Sequence, residues 1–408
     1  MSDAILVINA GSSSIKFALF PADAELESGA ILRGQVENIG TAPALKARRQ
    51  DGSSVAEPAP QGTAGTVASL AFLLDWLKLN LSEHRLAGAG HRVVHGGENH
   101  SVPVRIDAGV IESLEALIPL ARLHEPVEVE AIKGLARLRP GMPQVACFDT
   151  AFHHHRPGID KLFAIPREYT AAGVKRYGFH GLSYEYIAGR LPQIIGDRAG
   201  GRIVVAHLGS GASMCAMREG RSIATTMSFT ALDGLMMGTR CGAIDPGVLL
   251  YAIQERGMSA HEVSEILYTK SGLLGVSGIS NDMRDLLASD DPHAKEAVEL
   301  FVYRATRELG ALAAVLGGLD ALVFTGGIGE QAAAVRAMIC DQARWLGVEL
   351  DAAANGQHRT LITTAASRVA ACIIPTDEEI VIARHTRRLL ETAASARQVE
   401  SPIMKRTP

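Results

Sequence analysis

Apolar and polar positions alternate in short blocks from the first residues of the chain onward. Ile5–Leu6–Val7–Ile8 and Phe17–Ala18–Leu19–Phe20 are continuous apolar runs around the small, hydroxyl-rich stretch 9–16, which predicts two strands joined as a hairpin. Val67, Leu70, Leu74, Leu77 and Leu81 share one helical face, and Glu125–Pro126 opens a second helix with proline at an early position. The longest helical pattern covers 295–316, with Val298, Phe301, Val302, Ala305, Leu309, Leu312 and Leu316 as its buried stripe. Gly317–Gly318 stops it, and residues 321–324 resume as a strand. Residues 40–66, rich in Ala, Pro, Gly and Ser, read as an exposed hairpin or loop. Near the C-terminus, Thr376 and Glu379 have capping-box spacing at the start of a helix that runs through Leu390.

The first turn, Asn9–Ala10–Gly11–Ser12–Ser13–Ser14–Ile15–Lys16, has the chemistry of an anion grip. Gly11 allows close backbone approach, the serines carry hydroxyls, and Lys16 carries a positive charge. It is not a P-loop, since no Gly-Lys-Ser/Thr follows. Val204–Val205–Ala206–His207–Leu208–Gly209–Ser210–Gly211 echoes Leu6–Val7–Ile8–Asn9–Ala10–Gly11–Ser12–Ser13 in pattern. Either any two hairpins look this way, or each half of the chain carries one anion-binding hairpin, with a boundary near residue 150. A third glycine turn, Phe324–Thr325–Gly326–Gly327–Ile328–Gly329–Glu330, follows a strand and precedes a helix start expected at Glu330–Gln331. Three such turns point to a nucleotide cleft, and the lack of a full GxGxxG disfavours a dinucleotide fold.

Composition narrows the class. The chain has 408 residues, 47% of them hydrophobic, enough for two cores. A net charge of −4 offers no basic footprint for nucleic acid and no polybasic patch for a membrane. The longest apolar stretch, 309–319, is too short to span a bilayer. No signal-like pattern opens the chain, so a cytoplasmic α/β protein is expected. Cys147, Cys215, Cys241, Cys340 and Cys372 are scattered and read as reduced core thiols.

Several polar clusters interrupt this pattern. Arg92 stands between His91 and His95, which suits an anionic substrate; Asp149 and His153 follow an apolar run; glycines bracket His180 and Arg240. Each cluster also fits a surface turn with a solvated charge. His153–His154–His155 lacks partners at ligand spacing and reads as a partly exposed turn. Capping assigns Glu379 a structural role and leaves Glu378 for a hydrated Mg2+ or, alternatively, for the helix dipole.

In order along the chain, VINAGSSSIK, HRVVHGGE, FDTAFH, YGFHG, HLGSGAS, MGTRCG, ISNDMRDL, FTGGIGE and PTDEE closely resemble the acetate kinase family. The resemblance implies two related actin/hexokinase-like (ribonuclease H-like) α/β domains with the active-site cleft between them. The first spans 1–150 and is completed by a returning helix at about 385–396; the second spans 151–384. It implies reversible phosphoryl transfer from ATP to acetate, giving acetyl phosphate and ADP, with Mg2+ (or Mn2+ in its place), in a homodimer. Propionate or another short-chain carboxylate is the alternative substrate. Asn9 and Glu378 resemble the Mg2+ site; Ser12, Ser14 and Lys16 the phosphate contacts; Arg92 the carboxylate-binding arginine. Val93, Leu123 and Phe179 resemble the walls of its small apolar pocket. His180 and Arg240 match the pair that stabilises the transferring phosphoryl group, and Asp149 the assigned acid/base. His207, Leu208, Gly209, Ser210, Gly211, Asp282, Met283, Arg284, Gly327, Ile328, Gly329, Glu330 and Gln331 match nucleotide-binding segments.

Chemistry adds one expectation that differs from the family's label. Acetate is already ionised at neutral pH, so no base need deprotonate it, and Asp149 is expected to orient an arginine or the metal's waters. The chain departs from the family pattern at Glu125, Leu182, Tyr184, Ser210, Ala231, Ala243 and Gln331, while Arg92, Asp149, His180 and Arg240 are all present.

Overall fold

A computed structural model describes residues 1–81 and 83–400. The chain forms two compact units, residues 1–151 with 377 onward and residues 152–376.

In the first unit, β1 (Ser2–Ala10) and β2 (Ser14–Pro21) form the expected antiparallel hairpin. β3 (Leu32–Glu37) pairs next to β2, and residues 40–66 supply the expected hairpin as β4 (Ala44–Arg49) and β5 (Ser54–Pro58), which extend the sheet as antiparallel neighbours. β6 (His84–Val93), β7 (Val104–Arg105) and β8 (Gln144–Phe148) complete the order β5-β4-β3-β2-β1-β6-β8-β7. β1 is apolar on both faces because both are covered. Leu6 and Ile8 pack with Leu70, Leu74 and Leu77 of the helix Gly65–Asn80.

The other side carries the C-terminal helix Glu378–Glu400, which lies on β1, β6 and β8. Its approach explains Gly90 in β6, where a Cβ would strike Thr386 and Ile382. The start of this helix already packs here, so the chain re-enters the first unit at Asp377, where a return at about 385 was expected.

In the second unit, β9 (Ile203–Leu208), β10 (Ala212–Arg218), β11 (Arg221–Thr225), β12 (Ala321–Thr325) and β13 (Ala370–Ile373) form a sheet in the order β11-β10-β9-β12-β13. β9 and β10 are antiparallel, and β9, β12 and β13 are parallel. The run β3-β2-β1-β6-β8 has the same directions in the same order. The sequence echo between the two hairpins is thus an echo of topology, with each hairpin opening one sheet. The helix Pro292–Leu316 buries the expected stripe and ends at Gly317 in the left-handed conformation. Among the described residues, no helix is long and apolar enough to cross a membrane.

Candidate functional site

The candidate side chains of the first unit gather at the ends of parallel strands. Gly11 N–H donates to the Ser14 carbonyl at 2.8 Å and closes the hairpin, leaving Ser12 and Lys16 exposed and Ser14 half-buried. Asn9 and Lys16 are cross-strand partners and therefore share a face. Arg92 lies near the end of β6, and Asp149 directly follows β8, where its N–H donates to the Val93 carbonyl.

The Arg92 guanidinium is held from several sides. Nε and Nη2 donate to the two carboxylate oxygens of Asp149 at 3.1 and 2.5 Å, and Nη1 to Asn9 Oδ1 at 3.4 Å. Glu378 Oε2 lies 3.8 Å from Nε. The Asp149 side chain is 1% exposed and that of Arg92 18%. Burial works against the arginine's charge, but the Asp149 and Glu378 carboxylates outweigh it and hold it protonated. This clamp fixes the plane of the guanidinium while part of it still reaches solvent.

Glu378 is placed by an unexpected cap. Asp377 Oδ1 accepts from Ile380 N–H at 3.1 Å, so Asp377, not Thr376, caps the C-terminal helix. Arg33 holds both Asp377 and Glu379, which replaces the capping box expected between Thr376 and Glu379. Thr376 serves the second unit instead, bonding Ser183 through its hydroxyl and Glu330 through its N–H.

The histidines beside Arg92 do not face an anion. His91 Nε2 meets Gln144 Oε1 at 2.7 Å, and His95 Nδ1 accepts from Gly97 N–H at 2.9 Å. Burial pushes both imidazoles down to about 4, so they are neutral core groups. Val93 packs with Leu114, Val129, Ile132 and Phe148, and Leu123 is half exposed.

In the second unit the β9–β10 hairpin organises the groups. Gly209 N–H donates to the Gly211 carbonyl, and the Ser210 carbonyl accepts from Gly238 N–H. His180 is left-handed (φ 58°) just before the helix Gly181–Ile195. Its ring stacks on His207 at 4.3 Å, and its Nδ1 meets Ser213 Oγ at 2.9 Å. Tyr184 Oη, fully buried, lies 2.5 Å from the same hydroxyl. His207 Nδ1 meets Ser183 Oγ at 2.9 Å.

A Cβ on Gly211 would lie 2.7 Å from Arg240 Nη2 and 3.4 Å from His180 Nε2, so the hairpin tip and these two side chains form one cluster. Arg240 Nη1 donates to the Ala231 carbonyl at 2.5 Å. Phe179, buried beside His180, gives its carbonyl to His153 Nε2.

The third glycine turn also differs in detail. Its helix, Gly326–Gln331, begins four residues before the start expected at Glu330. Glu330 Oε1 reaches back to Gly326 N–H at 2.9 Å and to Thr376 N–H at 3.2 Å, closing the turn. Gly327 stays open, with its nitrogen 3.8 Å from where a Gly209 Cβ would sit; Ile328 is half-buried, Gly329 buried and Gln331 exposed. Asp282 caps the helix Met283–Ala288 and is held down to about 2 by hydrogen bonds from Arg284, whose side chain is 87% exposed.

His153 is buried and bonded to Ser222 Oγ and the Phe179 carbonyl, and burial pushes it down to about 3; with His154 half-buried and His155 exposed, the three histidines form the partly exposed turn expected, its first member in the core. Among the described residues, no three His, Cys, Asp or Glu side chains form a metal-holding group. Asn9 and Glu378, both beside Arg92, are hard oxygen donors of the kind that suit a largely hydrated Mg2+. The sequence reading missed Glu128, which is buried with its Oε2 accepting from Val94 N–H at 3.0 Å. Its spacing of three from Glu125, on the stripe of Val129, Ile132 and Leu135, was the available signal.

The model of the "Acetokinase family" matches residues 4–384. The chain is 58% identical over 398 residues to an acetate kinase of Rhodopseudomonas palustris, covering 96% of this chain and 99% of that protein. The solved acetate kinase of Porphyromonas gingivalis is similar at 37% identity and a TM-score of 0.85, over 95% of this chain and 100% of that one. A solved propionate kinase of Francisella tularensis is similar at 38% identity and a TM-score of 0.87, over 94% of this chain and 99% of that one.

Proposed function

This chain belongs to the acetokinase family, and from that premise we propose that it joins acetate and ATP to make acetyl phosphate and ADP, reversibly. The reaction is a direct transfer. A carboxylate oxygen attacks the γ-phosphorus, the bond from phosphorus to the β–γ bridging oxygen breaks, and ADP leaves with that electron pair. No proton has to move. What the step requires is that two anions be brought together and held in line.

The observation that carries this reading is the Arg92 guanidinium clamped by Asp149. In it, Arg92 binds the acetate carboxylate, and Asp149 positions Arg92 rather than taking a proton. Val93, Leu123 and Phe179 flank the methyl group. His180 and Arg240 donate to the phosphoryl oxygens as charge shifts. His180 is suited to this because the Tyr184–Ser213 hydroxyl pair holds its Nδ1, leaving Nε2 on the side of Gly211 and Arg240. Ser12, Ser14, Lys16, 207–211, 282–284 and 327–331 contact the nucleotide. Asn9 and Glu378 hold Mg2+ through water, and the ion neutralises phosphate charge when bound. ATP as co-substrate fits a cytoplasmic enzyme.

The test is ADP formation with acetate, propionate and butyrate, compared as kcat/KM. Acetate is expected to lead, with each added methylene changing the ratio by about 10- to 200-fold. Absence of turnover with all three, in protein that binds ATP, would overturn the reading; propionate ahead of acetate would shift it to the alternative substrate.

A homodimer is also proposed. The helix Pro246–Gln254 buries none of its nine residues and exposes Val248, Leu250, Tyr251 and Ile253. Such a face is what a second copy would cover. Tyr251→Asp with Leu250→Asp is expected to halve the mass measured by light scattering. An unchanged mass would place the interface elsewhere.

A further inference from the structure

Glu125 and Glu128 stand one turn apart at the start of the helix Glu125–Leu138, and they are 0% and 2% exposed. Glu128 Oε2 accepts from Val94 N–H, but neither carboxyl oxygen of Glu125 has a partner at hydrogen-bonding geometry. Two buried carboxylates so placed cannot both be charged without large penalties of desolvation and repulsion. The groups that act on them, besides each other, are Arg92 on β6 and the Val94 backbone for Glu128, the His95 backbone just after β6 for Glu125, and Asp149 just after β8 for both. The neighbouring helices Gly65–Asn80 and Ala108–Leu117 keep their charged residues, Asp75, Lys78, Glu112 and Glu115, exposed. Arg92 is thus the cation nearest the pair, and it is already engaged by Asp149 and Glu378.

We propose that Glu125 and Glu128 are a proton-holding carboxyl dyad that positions the Arg92–Val94 segment and, by staying at least half protonated, keeps the Arg92 charge available to the carboxylate substrate. The inference rests on the reading of Arg92 as the carboxylate-binding residue. Were both acids ionised, Glu128 would join Asp149 and Glu378 as a third carboxylate acting on Arg92, with a further charge on the neighbouring Glu125, and the local field would oppose an incoming anion. Glu128 acts through the Val94 N–H and Glu125 through its neutrality; neither touches substrate. Burial, and for Glu125 its neighbour's charge, push both carboxyls well above the ordinary carboxylate range.

Two measurements on the whole enzyme test the dyad. Because its carboxyls titrate higher in the folded than in the unfolded chain, the folded state holds extra protons above the unfolded pKa, and stability falls as pH rises. Glu125→Gln, permanently neutral, therefore raises Tm by an amount that grows between about pH 5 and about pH 8. The KM for acetate in the unaltered enzyme rises about tenfold between about pH 7 and about pH 9.5, with kcat little changed, and in Glu125→Gln it rises less than about twofold. Glu128→Gln, whose amide oxygen can still accept from Val94, provides the same readouts if the first variant folds poorly. A Tm difference independent of pH, or superimposable KM profiles, would overturn the proposal. Arg92→Lys keeps the readings separable: unchanged acetate KM in that variant sinks the role of Arg92, while the Tm comparison still judges the dyad.

Discussion

Arg240→Leu is expected to lower kcat by about 10³-fold while KM for acetate changes less than about threefold. The guanidinium stands at the tip of the β9–β10 hairpin beside His180, in the unit that carries the matched nucleotide segments. Its Nη1 donates to the Ala231 carbonyl, which helps fix the plane of the guanidinium, and its Nη2 lies beside the hairpin tip at Gly211. A group that strengthens its bonds only as charge develops on the transferring phosphoryl group acts on kcat and not on ground-state binding. Arg240→Lys is expected to recover little, because an ammonium cannot keep the Ala231 bond and also present a planar pair of donors. Steady-state kinetics in both substrates, with ATP affinity measured separately, checks this. A kcat within about threefold of normal would remove Arg240 from the phosphoryl-transfer role.

Asp149→Ala is expected to raise KM for acetate by about 100-fold and to lower kcat as well, with an accompanying fall in Tm. The carboxylate is almost wholly buried and makes two bonds to Arg92, so its removal frees the guanidinium to turn and leaves a partly buried charge underpaired. Asp149→Asn retains one acceptor and so loses less in KM. The two variants separate the possible roles of this residue. A proton acceptor would leave KM almost intact in Asp149→Asn, abolish kcat, and remove a limb of the pH–rate profile. A positioning residue shifts KM in the order Ala, then Asn, and leaves the shape of the profile alone. Collapse of kcat in the Asn variant at normal acetate KM would restore the proton-transfer role.

Much of the fold was legible because it depends on local pattern. The hairpin 9–16, the helix that ends at Gly317 and the apolar strand 321–324 all follow from short-range periodicity and chain-stopping glycines. The errors are equally physical. Thr376 and Glu379 had the spacing of a cap, but Asp377 won the helix because Arg33, 344 residues away in sequence, holds it there. The helix after β12 starts at Gly326, not Glu330, because the Glu330 carboxylate folds back to the first N–H of its own turn. His91 and His95 suited an anionic substrate beside Arg92, yet both are buried, His91 against Gln144 from a distant strand and His95 against the N–H of Gly97.

What the sequence determined by itself is the set of chemical groups, their order along the chain and the two hairpins that open the two sheets. These follow from local propensity and from motifs in which neighbours are adjacent in the chain. Only the tertiary structure decided how those groups are charged and aimed. It joined Arg92 to Asp149 across 57 positions, stacked His180 on His207, and enclosed Glu125 with Glu128 next to that same arginine. Charge state and orientation depend on desolvation and on partners brought together by strand pairing, and neither is a property of any short stretch of chain.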